Sequence, residues 1–315
     1  MKVAITGGTG FAGRYLARLH QEAGDGVHIL SRKKVRDSGT LRFFQADLTD
    51  SNADLDGFLA GVEVLYHCAA ELKDERLMED LHVRGTQNLL RSARGRVRRW
   101  VQLSSVGVYG QRREGAVNEK SDCHPVGIYE NTKYDAEKLV ASFCRKNDMP
   151  FCILRPSIVI GTDMPSPIIR AWIHYIRKGL YFFVGPCGTV RNYIPVENLA
   201  RALRLCGTHP NAKGETFIIS EPILIERAVD VFCEALSIRP VRWRLPEFPV
   251  RLLASAAQHI PGFPLGTARI DALTCRMTYE SKKIHELLGY APVKSLETSL
   301  REIAASSLLR SNPKL

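Results

Sequence analysis

Short apolar runs alternate with longer amphipathic stretches through the first half of the chain. The runs at Lys2–Thr6, Val27–Ser31, Leu41–Ala46, Val62–Ala69, Trp100–Ser104 and Phe151–Pro156 have the length and the branched apolar content of buried strands. Between them, Gly13–Ala23, Arg76–Ala93 and Tyr129–Asn147 repeat apolar residues at helical spacing. Strand, helix, strand at this interval predicts an α/β fold, a doubly wound parallel sheet with right-handed crossovers and helices on both faces. Such sheets place ligands at the carboxyl ends of their strands, so chemistry is expected just after each run.

Beyond about Gly161 the order turns irregular, broken by Pro165, Pro167, Pro186, Pro246, Pro249, Pro261 and Pro264. Helices are predicted over Ile168–Lys178, Val196–Cys206, Leu224–Ala235 and Leu296–Ser307. The expected organisation is a ligand-binding sheet domain over 1–161 and a smaller lobe over 162–315 covering the sheet's carboxyl edge. Gly161–Gly188 and Thr216–Ser220 are candidates for a return to the sheet, so the two parts are expected to interleave.

Composition narrows the class. The 315 residues are 45% apolar and 24% charged, enough for a sizeable core. The first strand begins directly after Met1, which leaves no room for a signal peptide, and no apolar run is long enough to span a bilayer. Eight scattered cysteines, none in a Cys-x-x-Cys pair, read as reduced thiols in a cytoplasmic protein without a metal site. The net charge of +11 is compatible with nucleic acid, an anionic membrane or a phosphate-bearing small molecule. Its densest cluster, Arg91, Arg94, Arg96, Arg98 and Arg99, falls at a predicted helix end and has no interleaved aromatics, which argues against nucleic acid.

The first strand runs into Thr6-Gly7-Gly8-Thr9-Gly10-Phe11-Ala12-Gly13 and then into a helix. Gly7 permits the tight turn, Gly10 lets backbone approach a pyrophosphate, and Gly13 allows close helix–strand packing. This is a Rossmann dinucleotide turn by sequence context, with Thr9, Phe11 and Ala12 as further cofactor contacts. The second strand ends Leu30-Ser31-Arg32-Lys33-Lys34 without the acid that would bind an NAD ribose. Arg32 either clasps a 2′-phosphate or belongs to a solvated basic loop, and NADP is expected over NAD. At the next strand end, Ala46-Asp47-Leu48, Asp47 either accepts the adenine amino proton or caps the following segment.

A later strand ends Leu103-Ser104-Ser105, and a helix begins Tyr129-Glu130-Asn131-Thr132-Lys133. Tyr129 and Lys133 are spaced to share one helix face. An ammonium beside a phenol stabilises the phenolate and lowers its pKa, so Tyr129 is read as the group that exchanges a proton with an alcohol. A serine hydroxyl from the strand end, Ser105, would hold the same oxygen.

These segments together resemble the extended short-chain dehydrogenase/reductase family, in its NAD-dependent epimerase/dehydratase branch. The resemblance also draws on His67-Cys68-Ala69-Ala70, Val83-Arg84-Gly85-Thr86-Gln87-Asn88-Leu89, Leu154-Arg155-Pro156-Ser157-Ile158-Val159-Ile160-Gly161, Arg191-Asn192-Tyr193-Ile194-Pro195-Val196-Glu197-Asn198-Leu199-Ala200 and Leu287-Leu288-Gly289-Tyr290-Ala291-Pro292. It implies a nucleotide-sugar 4-epimerase or 4-keto reductase with Ser105, Tyr129 and Lys133 at its centre. Asp47, Leu48, Ala69, Pro156 and Ser157 would line the cofactor, and Arg191 and Arg269 would reach the substrate diphosphate. It further implies a homodimer packed through the Arg76–Ala93 and Tyr129–Asn147 helices. For Arg191 a simple pairing with Glu197 is the alternative. The chain departs from the family where His82 replaces a frequent Asn, where Asn192 replaces an Asp, and where Val106 and Gly107 replace the acid pair of the 4,6-dehydratases. Relatives that oxidise 3β-hydroxysteroids, and a cofactor-binding scaffold without turnover, are the competing implications.

Overall fold

The computed structural model describes residues 1–257 and 267–310. In chain order its strands are β1 (Lys2–Thr6), β2 (Gly26–Ser31), β3 (Leu41–Gln45), β4 (Val64–His67), β5 (Arg99–Leu103), β6 (Glu114–Val117), β7 (Phe151–Pro156), β8 (Ile158–Ile160), β9 (Phe183–Val184), β10 (Val190–Pro195), β11 (Thr216–Ile219), β12 (Glu221–Leu224), β13 (Arg244–Leu245) and β14 (Arg276–Tyr279). Seven of them form a parallel sheet in the order β11-β7-β5-β4-β1-β2-β3. The order reverses between β1 and β4, whose ends meet in the register Thr6↔His67. That is the switch point at which a doubly wound sheet opens a crevice.

The predicted fold class is therefore the observed one. β4 and β7 are buried along their whole length, as strands covered on both faces must be. One core layer packs Val3, Ile5, Leu16 and Tyr66 against Leu199 and Leu203; the other packs Leu65, Leu89, Leu90 and Trp100 against Val140 and Phe151. Each fully buried aliphatic side chain contributes about 1.5–3 kcal/mol relative to exposure. Thr216–Ile219 does return to the sheet, as its outermost strand beside β7.

Two elements differ from expectation. The helix predicted as one piece over Arg76–Ala93 is a short helix at Glu75–Glu79, a π turn at Asp80–Gly85, and a helix at Thr86–Ala93. Apolar spacing does not register one extra residue in a turn, and π turns concentrate at functional sites. The parallel pair of β6 with β14 was also invisible, because Glu-Gly-Ala-Val carries little strand signal and its partner lies far along the chain.

The chain past Gly161 adds β10 and β12 to β8 in a three-stranded sheet, β12-β10-β8, with helices at Ile168–Arg177 and Ile225–Leu236. Asp163 ties this part to the helix after the glycine turn, pairing with Arg14 and accepting from the Tyr15 hydroxyl. Buried Asn198 binds Glu221 and the backbone of Val293 and Lys294, which joins the Val-Glu-Asn-Leu-Ala segment to the closing Gly-Tyr-Ala-Pro segment. The arginine cluster is largely spent on structure: Arg96 pairs with Asp56, Arg98 with Glu63, and Arg99 donates to the carbonyls of Cys206 and His209. No helix among the described residues is long and apolar enough to cross a membrane.

Candidate active site

The glycine turn lies at the switch point. Gly7 has φ +67°, and a Cβ there would stand 2.8 Å from the Ala69 nitrogen and the Cys68 carbonyl. A Cβ on Gly13 would overlap the Gly7 carbonyl. Both positions therefore require glycine, the first for its backbone and the second for its close approach. The Phe11–Glu22 helix starts at Gly10 with no side-chain cap and no acid in its first turn, and Thr9 and Gly10 are exposed. Free N–H groups at the positive end of the helix dipole form an anion seat, flanked by half-buried Phe11 and Ala12. The residues present fit the pyrophosphate of a dinucleotide.

Around this turn the remaining strand ends carry the other expected contacts. Arg32, just past β2, is exposed and has no ion-pair partner among the described residues. The Asp47 carboxylate accepts from the backbone N–H and the hydroxyl of Thr49 at 2.9 and 2.8 Å, so it serves as a turn cap in this structure. Leu48 is buried in the core, with its carbonyl accepting from Asn88. The Ala69 N–H donates to Thr6 Oγ1, beside Gly7. Pro156 and Ser157 are buried at the end of β7, and the Ser157 hydroxyl has no hydrogen-bond partner among the described residues. A buried orphan hydroxyl facing this edge is what an absent polar ligand would leave.

Ser105 follows β5 and opens a short 3₁₀ turn, where its Oγ accepts from Gly107 N–H at 3.1 Å. Tyr129 and Lys133 lie in the first turns of the Ile128–Lys146 helix. Lys133 is almost fully buried, and its ammonium donates to the Leu103 carbonyl at 2.5 Å, two residues before Ser105. The end of β5 thus brings lysine and serine together. Burial holds the Lys133 pKa down to about 8, partly opposed by the Glu137 carboxylate one turn on.

The phenol corrects one expectation. Tyr129 is not lowered by its lysine; burial, assisted by the neighbouring Glu130 carboxylate, pushes it up to about 12. The cause is desolvation, which disfavours the charged phenolate in a buried place.

Sequence reading passed over the group that braces this helix. Arg155 in β7 makes a bidentate pair with Glu137 (3.0 and 2.5 Å) and donates to the Tyr109 hydroxyl at 2.7 Å, with all three side chains buried. The available signal was an arginine inside an otherwise apolar strand, since a charge there must be paired. Cys152, Cys206 and Cys233 are buried free thiols, and no set of side chains suited to a metal occurs among the described residues.

Farther out, Arg191 on β10 stacks over Trp172, 4.9 Å from the ring centre, and its Nε is buried without a partner among the described residues. It does not pair with Glu197, whose carboxylate holds Lys294. Asn192 donates to the Met277 carbonyl of β14 instead of serving as an acid. The Tyr181 hydroxyl, which feels both Arg191 and Glu226, and one Glu226 oxygen are also buried without partners among the described residues. The Arg269 side chain lies outside the described residues.

Residues 3–220 match the model of the NAD dependent epimerase/dehydratase family. A UDP-glucose 4-epimerase of Vibrio cholerae is 26% identical over 98% of this chain and 96% of its own. A 3beta-hydroxysteroid-dehydrogenase/decarboxylase isoform 2 of Arabidopsis thaliana is 27% identical over 94% of this chain, which spans only 60% of that relative's length. The crystal structure of a UDP-glucuronic acid 4-epimerase from Bacillus cereus in complex with NAD superposes with a TM-score of 0.77, at 20% identity and over 98% of this chain and 99% of that one.

Proposed function

This chain belongs to the NAD-dependent epimerase/dehydratase family and is an NAD(P)-dependent enzyme of the extended short-chain dehydrogenase type, and on that premise we propose that it acts as a nucleotide-sugar 4-epimerase or 4-keto reductase. The carrying observation is the meeting of Lys133 with the end of β5 beside Ser105, with Tyr129 one helical turn away. The dinucleotide would rest on the Gly7–Gly13 turn, with Ala69, Pro156 and Ser157 toward the nicotinamide and Arg32 at the adenosine end. We assign NADP over NAD because the β2 end offers an exposed guanidinium with no ion-pair partner among the described residues, and no acid. When bound, the cofactor supplies hydride transfer.

The chain's own part is the proton. Ser105 Oγ orients the sugar oxygen. Tyr129 as the neutral phenol donates its proton to a ketone oxygen, and in reverse its phenolate takes the hydroxyl proton. Lys133 is largely protonated at neutral pH and opposes the charge that develops on the phenolate. Arg191 is held in place by Trp172 and has no carboxylate partner among the described residues, which suits a diphosphate. The 27% identical plant relative keeps a 3β-hydroxysteroid reading as the rival, and a sterol gives Arg191 nothing to bind.

Thermal shift against NAD, NADP, UDP-sugars, GDP-sugars, dTDP-sugars and a 3β-hydroxysteroid tests the assignment, because a ligand specific for the folded state raises its stability. A dinucleotide and a nucleotide sugar that each stabilise the protein support it. Stabilisation by a 3β-hydroxysteroid alone overturns it.

A further inference from the structure

Two histidines lie in one buried hydrogen-bonded chain behind the site. Thr6 Oγ1, at the end of β1, is 2.6 Å from His67 Nδ1 and also accepts from Ala69 N–H. His67 Nε2 is 2.9 Å from Thr86 Oγ1, which donates to the His82 carbonyl at 2.5 Å. The His82 ring then bridges two segments. Its Nε2 accepts from Glu71 N–H at 2.9 Å, and its Nδ1 is 2.8 Å from Thr132 Oγ1, which donates to the Tyr129 carbonyl at 3.1 Å. The same ring packs edge-on against the Tyr129 ring, with centroids 5.7 Å apart.

With Thr86 and Thr132 donating to carbonyls, the proton count along this chain assigns both tautomers. Thr86 gives its hydrogen to a carbonyl, so His67 donates through Nε2 and accepts the Thr6 hydrogen at Nδ1. His82 accepts at Nε2, so it carries its hydrogen on Nδ1 and donates to Thr132. Protonating His82 would set its Nε2–H against the Glu71 N–H. Burial and the nearby Lys133 ammonium oppose that charge, while Glu71 acts weakly the other way on His82.

We infer that His82 is a positioning residue: it locks the loop after β4, which lies against the glycine turn, to the first turn of the Tyr129 helix, and so sets the phenol relative to the cofactor. The π turn delivers its ring to a place between the two segments. This rests on the assignment of Tyr129 as the proton-exchanging group. An asparagine could reproduce one acceptor and one donor, but without the ring that meets Tyr129.

The test has three arms. Imidazole ¹⁵N NMR of the whole protein should show His67 protonated at Nε2 and His82 at Nδ1, neither titrating between about pH 5.5 and 8. Either histidine in tautomeric exchange, or titrating near the ordinary value of about 6.5, overturns the inference. His82→Leu should weaken NADP⁺ binding roughly tenfold, with His82→Asn recovering most of it, as for loss and return of buried hydrogen bonds. NADP⁺ affinity unchanged in His82→Leu counts against it; if that variant does not fold, the tautomers and His82→Asn decide. With UDP-glucose as probe, His82→Asn should lower kcat by about tenfold and leave KM within about threefold, since a displaced phenol costs the reaction step and not binding. A variant with kcat unchanged contradicts the role. If wild-type enzyme ignores UDP-glucose, the nucleotide-sugar reading suffers alone, and the NMR and NADP⁺ arms still judge His82.

Discussion

Single residues divide into those whose chemistry is independent of neighbours and those whose neighbours redefine it. Glycine is the first kind: Gly7 and Gly13 were identifiable from their spacing, because only backbone fits where a Cβ would strike Ala69 or the Gly7 carbonyl. Tyr129 is the second kind. Its place was legible from the spacing to Lys133, but its rise to about 12 was not, because burial is a tertiary fact. Asp47 and His82 are likewise defined by Thr49 and by Glu71 with Thr132. Tyr129→Phe should reduce turnover by at least about a hundredfold, the usual worth of a positioned acid–base group, while NADP⁺ affinity stays within a small factor. Near-normal turnover in that variant would remove the proton role. Arg32→Ala should narrow a preference for NADPH over NADH, read by calorimetric titration, because the 2′-phosphate loses its planar partner. Equal affinity for both cofactors in the unmodified protein would sink the NADP assignment.

Elements that bury one continuous face were read well, and those held by distant partners were not. All seven central strands are parallel, and six follow from apolar runs, because a strand covered on both faces must be apolar throughout. The pair β6–β14 depends on register between remote segments, and the π turn depends on one inserted residue. The Ile128–Lys146 helix joins both cases. Its amphipathic pattern was plain, yet its alignment against β7 comes from the buried Arg155–Glu137 pair. Removing one partner strands a buried charge. Glu137→Ala should therefore destabilise the fold by about 3–5 kcal/mol, measured by denaturant unfolding. It should also lower the Lys133 pKa further, since Glu137 is a group that raises it. A loss below about 1 kcal/mol would mean that the pair is solvated in solution and does not brace the helix.

At the scale of the molecule, the sheet and its carboxyl-edge crevice were legible, whereas the arrangement past Gly161 was only outlined, since proline-broken segments carry little periodicity. One global consequence concerns acid. Burial lowers His67 to about 3 and His82 to about 4, against 6.5 for the free side chain. Between pH 6.5 and about 4 the unfolded chain therefore binds more protons than the folded one, so stability falls as pH falls through that window. The melting temperature should drop from pH 7.5 to 5, and less steeply in His82→Asn; a flat profile would contradict the buried, neutral histidines. The central claim spans both halves of the chain, with a dinucleotide on the glycine turn and a nucleotide diphosphate on Arg191. Its most direct test is calorimetric titration of UDP, GDP and dTDP into the unmodified protein and Arg191→Ala, each with an NADP⁺ control. The expected result is that one nucleotide binds the unmodified protein, that Arg191→Ala loses roughly 2–4 kcal/mol of that binding, and that NADP⁺ affinity holds. No binding by any of the three nucleotides, or equal binding by the variant, would contradict the nucleotide-sugar account.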